Sequence, residues 1–253
     1  MLFQEQVRKV KQAAPKLAAT TNEQRNAALT AVREALLQHQ AEIFEANKQD
    51  LAQAEADGVS GPVRKRLKFD EGKLRDVTAG ISDLIKMEDP LFQTQFAREL
   101  DEGLVLKRVT CPIGVIGVIF EARPDALVQI SALCIKSGNC VILKGGREAL
   151  RSNKKLFDII HEAIIDAGLP ADSMMQLEAR SEINELLECH ESVDLLIPRG
   201  SNAFVQYIMN HTKIPVMGHA DGICHIYVDK DADLAKAVPI IVDAKTQYVS
   251  ACN

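Results

Sequence analysis

Residues 109–147 read VTCPIGVIGVIFEARPDALVQISALCIKSGNCVILKGGR, and this stretch decides the fold. Val115 to Phe120 form a short, nearly continuous apolar run. After Pro124 the apolar residues change to helical spacing (Ala126, Leu127, Ile130, Leu133, Cys134), and a second short run, Cys140 to Leu143, ends in Lys144-Gly145-Gly146. The order is strand, helix, strand. A strand that is apolar on both faces belongs to a sheet covered on both sides, so the stretch predicts a right-handed βαβ unit of an α/β domain. In such sheets ligands gather beyond the carboxyl ends of the strands. Those ends carry Glu121, Arg123 and Asp125 after the first strand, and Lys144, Gly145, Gly146 and Arg147 after the second.

Upstream the pattern is helical. Phe3 to Ala18 places Val7, Val10, Ala14 and Leu17 on one stripe. Thr21-Asn22-Glu23-Gln24 reads as a capping box opening one long helix, whose stripe runs through Leu29, Val32, Leu36, Ile43, Phe44 and Leu51 until Asp57-Gly58 stops it. Ser60-Gly61-Pro62 reads as a turn, and Glu71 to Lys86 as a further helix with Leu74, Val77, Ile81 and Leu84 inward. Thr94 to Leu100 and Leu104 to Val109 flank Asp101-Glu102-Gly103, a spacing suited to a hairpin. Downstream, strands keep alternating with helices: a helix over 152–167, a strand at 174–177, a short helix around 183–187, a strand at 193–197, a helical stretch at 204–209, a strand at 224–228 and a helix at 231–243.

A chain of 253 residues with 47% apolar and 26% charged residues can bury a sizeable core. A net charge of -5 and 4% aromatic residues without Trp give no reason to expect nucleic acid. No apolar run approaches the ~20 residues needed to span a bilayer, and MLFQEQVRKV lacks the apolar segment of a secretory signal, which predicts a cytoplasmic protein without membrane contact. The six cysteines (111, 134, 140, 189, 224, 252) show no C-x-x-C pair and no Cys/His spacing suited to zinc, so no metal site is expected. Pro198-Arg199-Gly200-Ser201-Asn202 follows a strand and precedes a helix. Its Gly and Ser suit a phosphate at a helix start, but an ordinary N-cap explains the same residues and is preferred on spacing alone, since Gly114 to Gly117 offers only G-x-x-G.

Six ordered blocks together resemble one family, the γ-glutamyl phosphate reductases (glutamate-5-semialdehyde dehydrogenases), a branch of the aldehyde dehydrogenase superfamily. They are residues 112–125 (PIGVIGVIFEARPD), 136–139 (KSGN), 142–146 (ILKGG), 197–202 (IPRGSN), 218–222 (GHADG) and 244–248 (AKTQY) with 251–253 (ACN). The resemblance implies a Rossmann-like cofactor domain over residues 1–213, mainly helical over 1–90 and with the hairpin at 94–109, followed by the beginning of an α/β catalytic domain over 214–253. Family members continue well past this point, so the chain reads as a truncated piece. A non-catalytic nucleotide-binding fragment or regulatory module is therefore the competing reading.

The activity implied is NADPH-dependent reduction of L-glutamyl 5-phosphate to glutamate-5-semialdehyde with release of phosphate, in proline biosynthesis. By the resemblance Cys252 is the nucleophile and forms a thioester, with Asn253 or the Cys252 amide as oxyanion donor. Where aldehyde oxidisers carry a water-activating glutamate, residues 217–222 (MGHADG) have none, as suits a reductase. Lys144, Gly145 and Gly146 are expected along the adenosine ribose, and Gly200 and Ser201 near the pyrophosphate. Arg147 is expected either at a ribose 2′-phosphate or as a solvated surface charge, and Arg123 and Lys245 as substrate-binding cations. The resemblance is also compatible with a homo-oligomer, through the hairpin, and with functional coupling to glutamate 5-kinase.

Overall fold

In a computed structural model, residues 3–179, 181–218 and 224–247 are described. They divide into two compact units, residues 1–218 and 219–253. The first contains helices α1 (Phe3–Ala18), α2 (Asn22–Gln38), α3 (Gln40–Ala56), α4 (Gly61–Leu67) and α5 (Glu71–Lys86), then the hairpin β1 (Thr94–Asp101) and β2 (Leu104–Val109). Alternating elements follow: β3 (Val115–Ile119), α6 (Pro124–Lys136), β4 (Cys140–Lys144), α7 (Leu150–Asp166), β5 (Met174–Leu177), α8 (Ser181–Glu188), β6 (Leu195–Pro198) and α9 (Asn202–Asn210). The second unit contributes α10 (Leu234–Thr246).

The fold is α/β with a helical N-terminal part, as the sequence predicts. The main sheet has the order β5-β4-β3-β6, all parallel, and every residue of β3 and β4 is buried. Two right-handed crossovers place α6 and α7 on one face, and the crossover from β5 back past β3 to β6 places α8 on the other, where α1 packs beside it. Helices α2, α3 and α5 form an outer layer over α6 and α7. One contiguous core links Leu29, Val32 and Leu36 of α2 through Leu127, Val128 and Leu156 to Ile142 and Leu143 of the sheet.

Several expectations need correcting. The long helix expected from Thr21 to Asp57 is two helices, broken at His39, whose φ of -96° and ψ of 18° leave the helical region. Both halves pack on α7, which has 17 residues and so spans only about 25 Å. A straight 35-residue rod could not keep both of its ends on so short a partner. Ser60-Gly61-Pro62 is a helix start rather than a simple turn, with Pro62 in the first turn of α4, where a missing N–H costs nothing. Cys224 to Val228 does not form a strand: residues 224–229 lie outside any ladder. An apolar run becomes a strand only when a neighbour supplies hydrogen bonds, and its own unit offers none among the described residues. The hairpin forms as expected, antiparallel with irregular register at both ends, and it is exposed along its whole length.

Candidate active site

The order β5-β4-β3-β6 places a topological switch point between β3 and β6, where successive crossovers run in opposite directions and the strand ends splay apart. Three segments converge beyond the carboxyl ends. In the centre, residues 120–125 follow β3, with Phe120 N donating to Lys144 O at 2.9 Å. On the β4 side lies 144–149, and on the β6 side 199–201, tied in by Arg199 N donating to Ile119 O at 2.7 Å. The sheet thus brings Arg123, the Lys144–Arg147 segment and Gly200-Ser201 to one edge from positions up to 78 residues apart in sequence.

Lys144 is buried, and its Nζ donates to Gly145 O at 2.8 Å. Gly145 is half-buried, and a Cβ there would lie 2.2 Å from Asn153 Nδ2, so the loop can pass over the first turn of α7 only as glycine. Arg147 is exposed and begins a single 3-10 turn, 147–149, that leads into α7. It lines a cleft of about 780 Å³ together with Asp50, Asp57, Glu148 and Arg151. Ser201 caps α9, its Oγ accepting from Phe204 N at 3.3 Å, so the ordinary N-cap role is realised. Gly114 and Gly117 are packing residues: a Cβ on Gly114 would lie 2.1 Å from Asp194 Oδ2, and one on Gly117 would lie 2.5 Å from a Leu196 methyl of β6.

Arg123 stands exposed at the start of α6 between two carboxylates that are already paired. Glu121 is held by Arg66 of α4 at 3.1 Å, and Asp125 by Lys73 of α5 at 3.0 Å. Among the described residues Arg123 has no ion pair, so its charge remains available to an anion. Lys245 sits in the last turn of α10, exposed, in the second unit. Cys252 and Asn253 lie outside the described residues.

The sequence patterns did not single out the polar groups that the N-terminal helices bury, Asp50 and Asn47 near this edge and Lys136 at the opposite end of α6. Asp50 of α3 reaches the start of α7, and Asn47 donates to Leu67 O and Ser152 Oγ while accepting from Phe69 N. Lys136 is 3% exposed, and its three N–H donors meet Asn22 Oδ1, Asn26 Oδ1 and Met87 O at 2.9–3.0 Å; burial pushes its pKa down. No sequence signal marked Asp50, since Ser152-Asn153 offer an ordinary cap at the expected helix start and only the structure begins α7 at Leu150, after Ala149.

The cysteines sort by burial. Desolvation pushes the thiols of Cys134 and Cys140 up to about 12 and raises that of Cys189, whereas Cys111 and Cys224 are exposed. A thiol held that high stays protonated at physiological pH and is no nucleophile. Accordingly, iodoacetamide at pH 8 should label Cys111 and Cys224 of the native protein, while Cys134 and Cys140 should react only after unfolding. Peptide mass spectrometry reads this directly, and fast native labelling of either buried thiol would contradict the packing.

The chain is similar to known proteins along its whole length. The chain is 54% identical over all of its 253 residues to a gamma-glutamyl phosphate reductase of Acetivibrio thermocellus, of which it spans 59%. The crystal structure of gamma-glutamyl phosphate reductase from Thermotoga maritima superposes with a TM-score of 0.93 at 34% identity, covering 99% of this chain and 61% of that one. That of the Saccharomyces cerevisiae protein gives 0.82 at 43% identity, covering 98% of this chain and 64% of that one. The chain therefore spans about three fifths of the length of these relatives. Residues 3–250 match the aldehyde dehydrogenase family, and the chain belongs to that family.

Proposed function

We propose that this chain carries the cofactor-binding part, and the nucleophile Cys252, of an enzyme that reduces L-glutamyl 5-phosphate to glutamate-5-semialdehyde with NADPH, releasing phosphate. The observation that supports it most is identity above one half, along the entire chain, with proteins named gamma-glutamyl phosphate reductase. The residues at the sheet edge fit a nicotinamide dinucleotide: a glycine loop with an exposed arginine on one side of the switch point, and a helix start on the other. When bound, that cofactor supplies hydride to the thioester carbonyl. The chain's own residues do the rest. Cys252 attacks the acyl phosphate and expels phosphate, forming the thioester, and after reduction the sulfur leaves as the aldehyde forms. Arg123, which has no ion pair among the described residues, holds an anionic group of the substrate, and Lys245 a second one. Asn253, or the Cys252 amide, steadies the oxyanion.

Arg147 meets the ribose 2′-phosphate in this reading, where a carboxylate would select the hydroxyl. Arg147→Glu should therefore weaken NADPH binding about tenfold or more, the magnitude of a lost charge-assisted hydrogen bond, and leave NADH binding unchanged or improved. Fluorescence titration with each nucleotide measures this. Equal affinity for NADPH and NADH in the unaltered chain would remove the NADP assignment. The lability of an acyl phosphate also favours functional coupling to the glutamate 5-kinase that makes it. The exposed hairpin, with Phe96, Leu100, Leu104 and Leu106 on its surface, suits a homo-oligomer. Among the described residues no helix is long and apolar enough to cross a membrane.

A further inference from the structure

Helix α7 follows directly on the glycine loop, yet Ala149 at its N-cap position offers no side-chain cap. The first amides of a buried helix need acceptors. Asp50, from the middle of α3 and 101 residues earlier than Arg151, supplies them: Oδ1 accepts from Arg151 N at 3.2 Å, and Oδ2 from Ser152 N at 2.7 Å. These are the second and third residues of α7, the positions an N-cap side chain normally serves. Oδ2 also accepts from Ser152 Oγ at 2.7 Å, and the Arg151 guanidinium lies 3.5 Å from Oδ1. Asp50 is 2% exposed, so the carboxylate is committed to this task. The connection does not stop there. Asn153, next to Ser152 and itself 2% exposed, lies directly under Gly145, close enough that a Cβ would collide with its amide. Asn47 clamps Ser152 Oγ from the other side and ties it to the α4–α5 connection through Leu67 and Phe69.

We propose that Asp50 is a positioning residue for the cofactor loop: as a cap supplied from the N-terminal helical layer it holds the first turn of α7, and through Asn153 the backbone of Gly145 to Arg147, in the conformation that receives the dinucleotide. A second consequence is that the positive end of α7 is already occupied by a carboxylate, so α7 holds no phosphate. Ligand phosphates are left to Arg147 and to the start of α9. The inference rests on the cofactor reading above.

The test is Asp50→Ala in the full chain, read two ways. Hydrogen exchange should quicken roughly tenfold over residues 145–153 while residues 154–166 stay near wild type, because losing a cap frays the first turn and not the helix. The Kd for NADPH, measured well below the variant's Tm, should rise about tenfold. Asp50→Asn, which keeps one carbonyl acceptor, and Ser152→Ala, which removes one of the four contacts, should fall between, and they carry the same test should Asp50→Ala not fold. Uniformly faster exchange along α7, or folded variants that bind NADPH within about twofold of wild type, would reduce Asp50 to a stabilising residue and overturn the proposal. Failure of the unaltered chain to bind either NADPH or NADH would be a failure of the cofactor reading, and the loop would then have nothing to position.

Discussion

Cys252→Ser is expected to lower reductive turnover by at least ~10³-fold while leaving the fold and NADPH affinity unchanged. Cys252 is the nucleophile that the family resemblance implies, and the packing of the other thiols agrees with it. Three of the other five thiols are disqualified by burial, two of them held at about 12 and the third, Cys189, bonded through its Sγ to Glu185 O at 3.2 Å. Cys111 and Cys224 are accessible, but Cys111 lies beyond the amino end of β3, opposite the edge where Arg123 and the glycine loop gather. Serine keeps the size of the nucleophile but not its acidity, and a hydroxyl without an adjacent base attacks an acyl phosphate poorly. Steady-state assay of the intact enzyme, with NADPH titration as the control for folding, decides the matter. Substantial residual turnover in Cys252→Ser, or loss of turnover in Cys111→Ala, would assign the nucleophile elsewhere.

Gly114→Ala should cost about 2–6 kcal/mol of stability, although it adds a single methyl. Gly114 sits at φ 124°, which side chains rarely adopt, a strain of ~1–3 kcal/mol. The added Cβ would also fall 2.1 Å from Asp194 Oδ2, forcing that carboxylate aside. Asp194 accepts from Val115 N at 2.8 Å and from Lys11 Nζ at 2.6 Å, so displacing it strips an acceptor from the first amide of the central strand, for a further ~1–3 kcal/mol. Gly80→Ala makes the comparison: it lies exposed in α5 with nothing within 4 Å of its Cβ position, and alanine there should gain ~0.5–1 kcal/mol. Urea denaturation of both variants measures the difference. A loss under about 1 kcal/mol at Gly114 would mean that Asp194 can move aside at little cost.

Much of this architecture was legible because it depends on local pattern. The switch from continuous apolar runs to helical spacing between Val115 and Leu143 specifies β3, α6 and β4, and the buried faces follow from it. Helices α1 and α5 begin and end where their stripes and caps say they should, since Asp70 accepts from Lys73 N within its own turn. Turn chemistry likewise placed the hairpin loop at Asp101-Glu102-Gly103, of which Asp101 proves to be the last residue of β1.

What depended on partners distant in sequence was decided only by the tertiary structure. The break at His39 follows from α2 and α3 sharing α7, and no residue near position 39 announces it. Residues 224–228 have the composition of a strand but no ladder beside them, and pairing is not a property of one segment. The same holds at the site. The residue types of Lys144, Gly145 and Arg147 suggested a ligand loop, but only the strand order β5-β4-β3-β6 put that loop, Arg123 and Ser201 on one edge. Only the packing of α3 on α7 placed Asp50 where it could cap a helix it precedes by 100 residues. A sequence states which groups need partners; the choice of partner is made by the fold, because a buried donor takes whichever acceptor the packing of distant elements brings within about 3 Å of it.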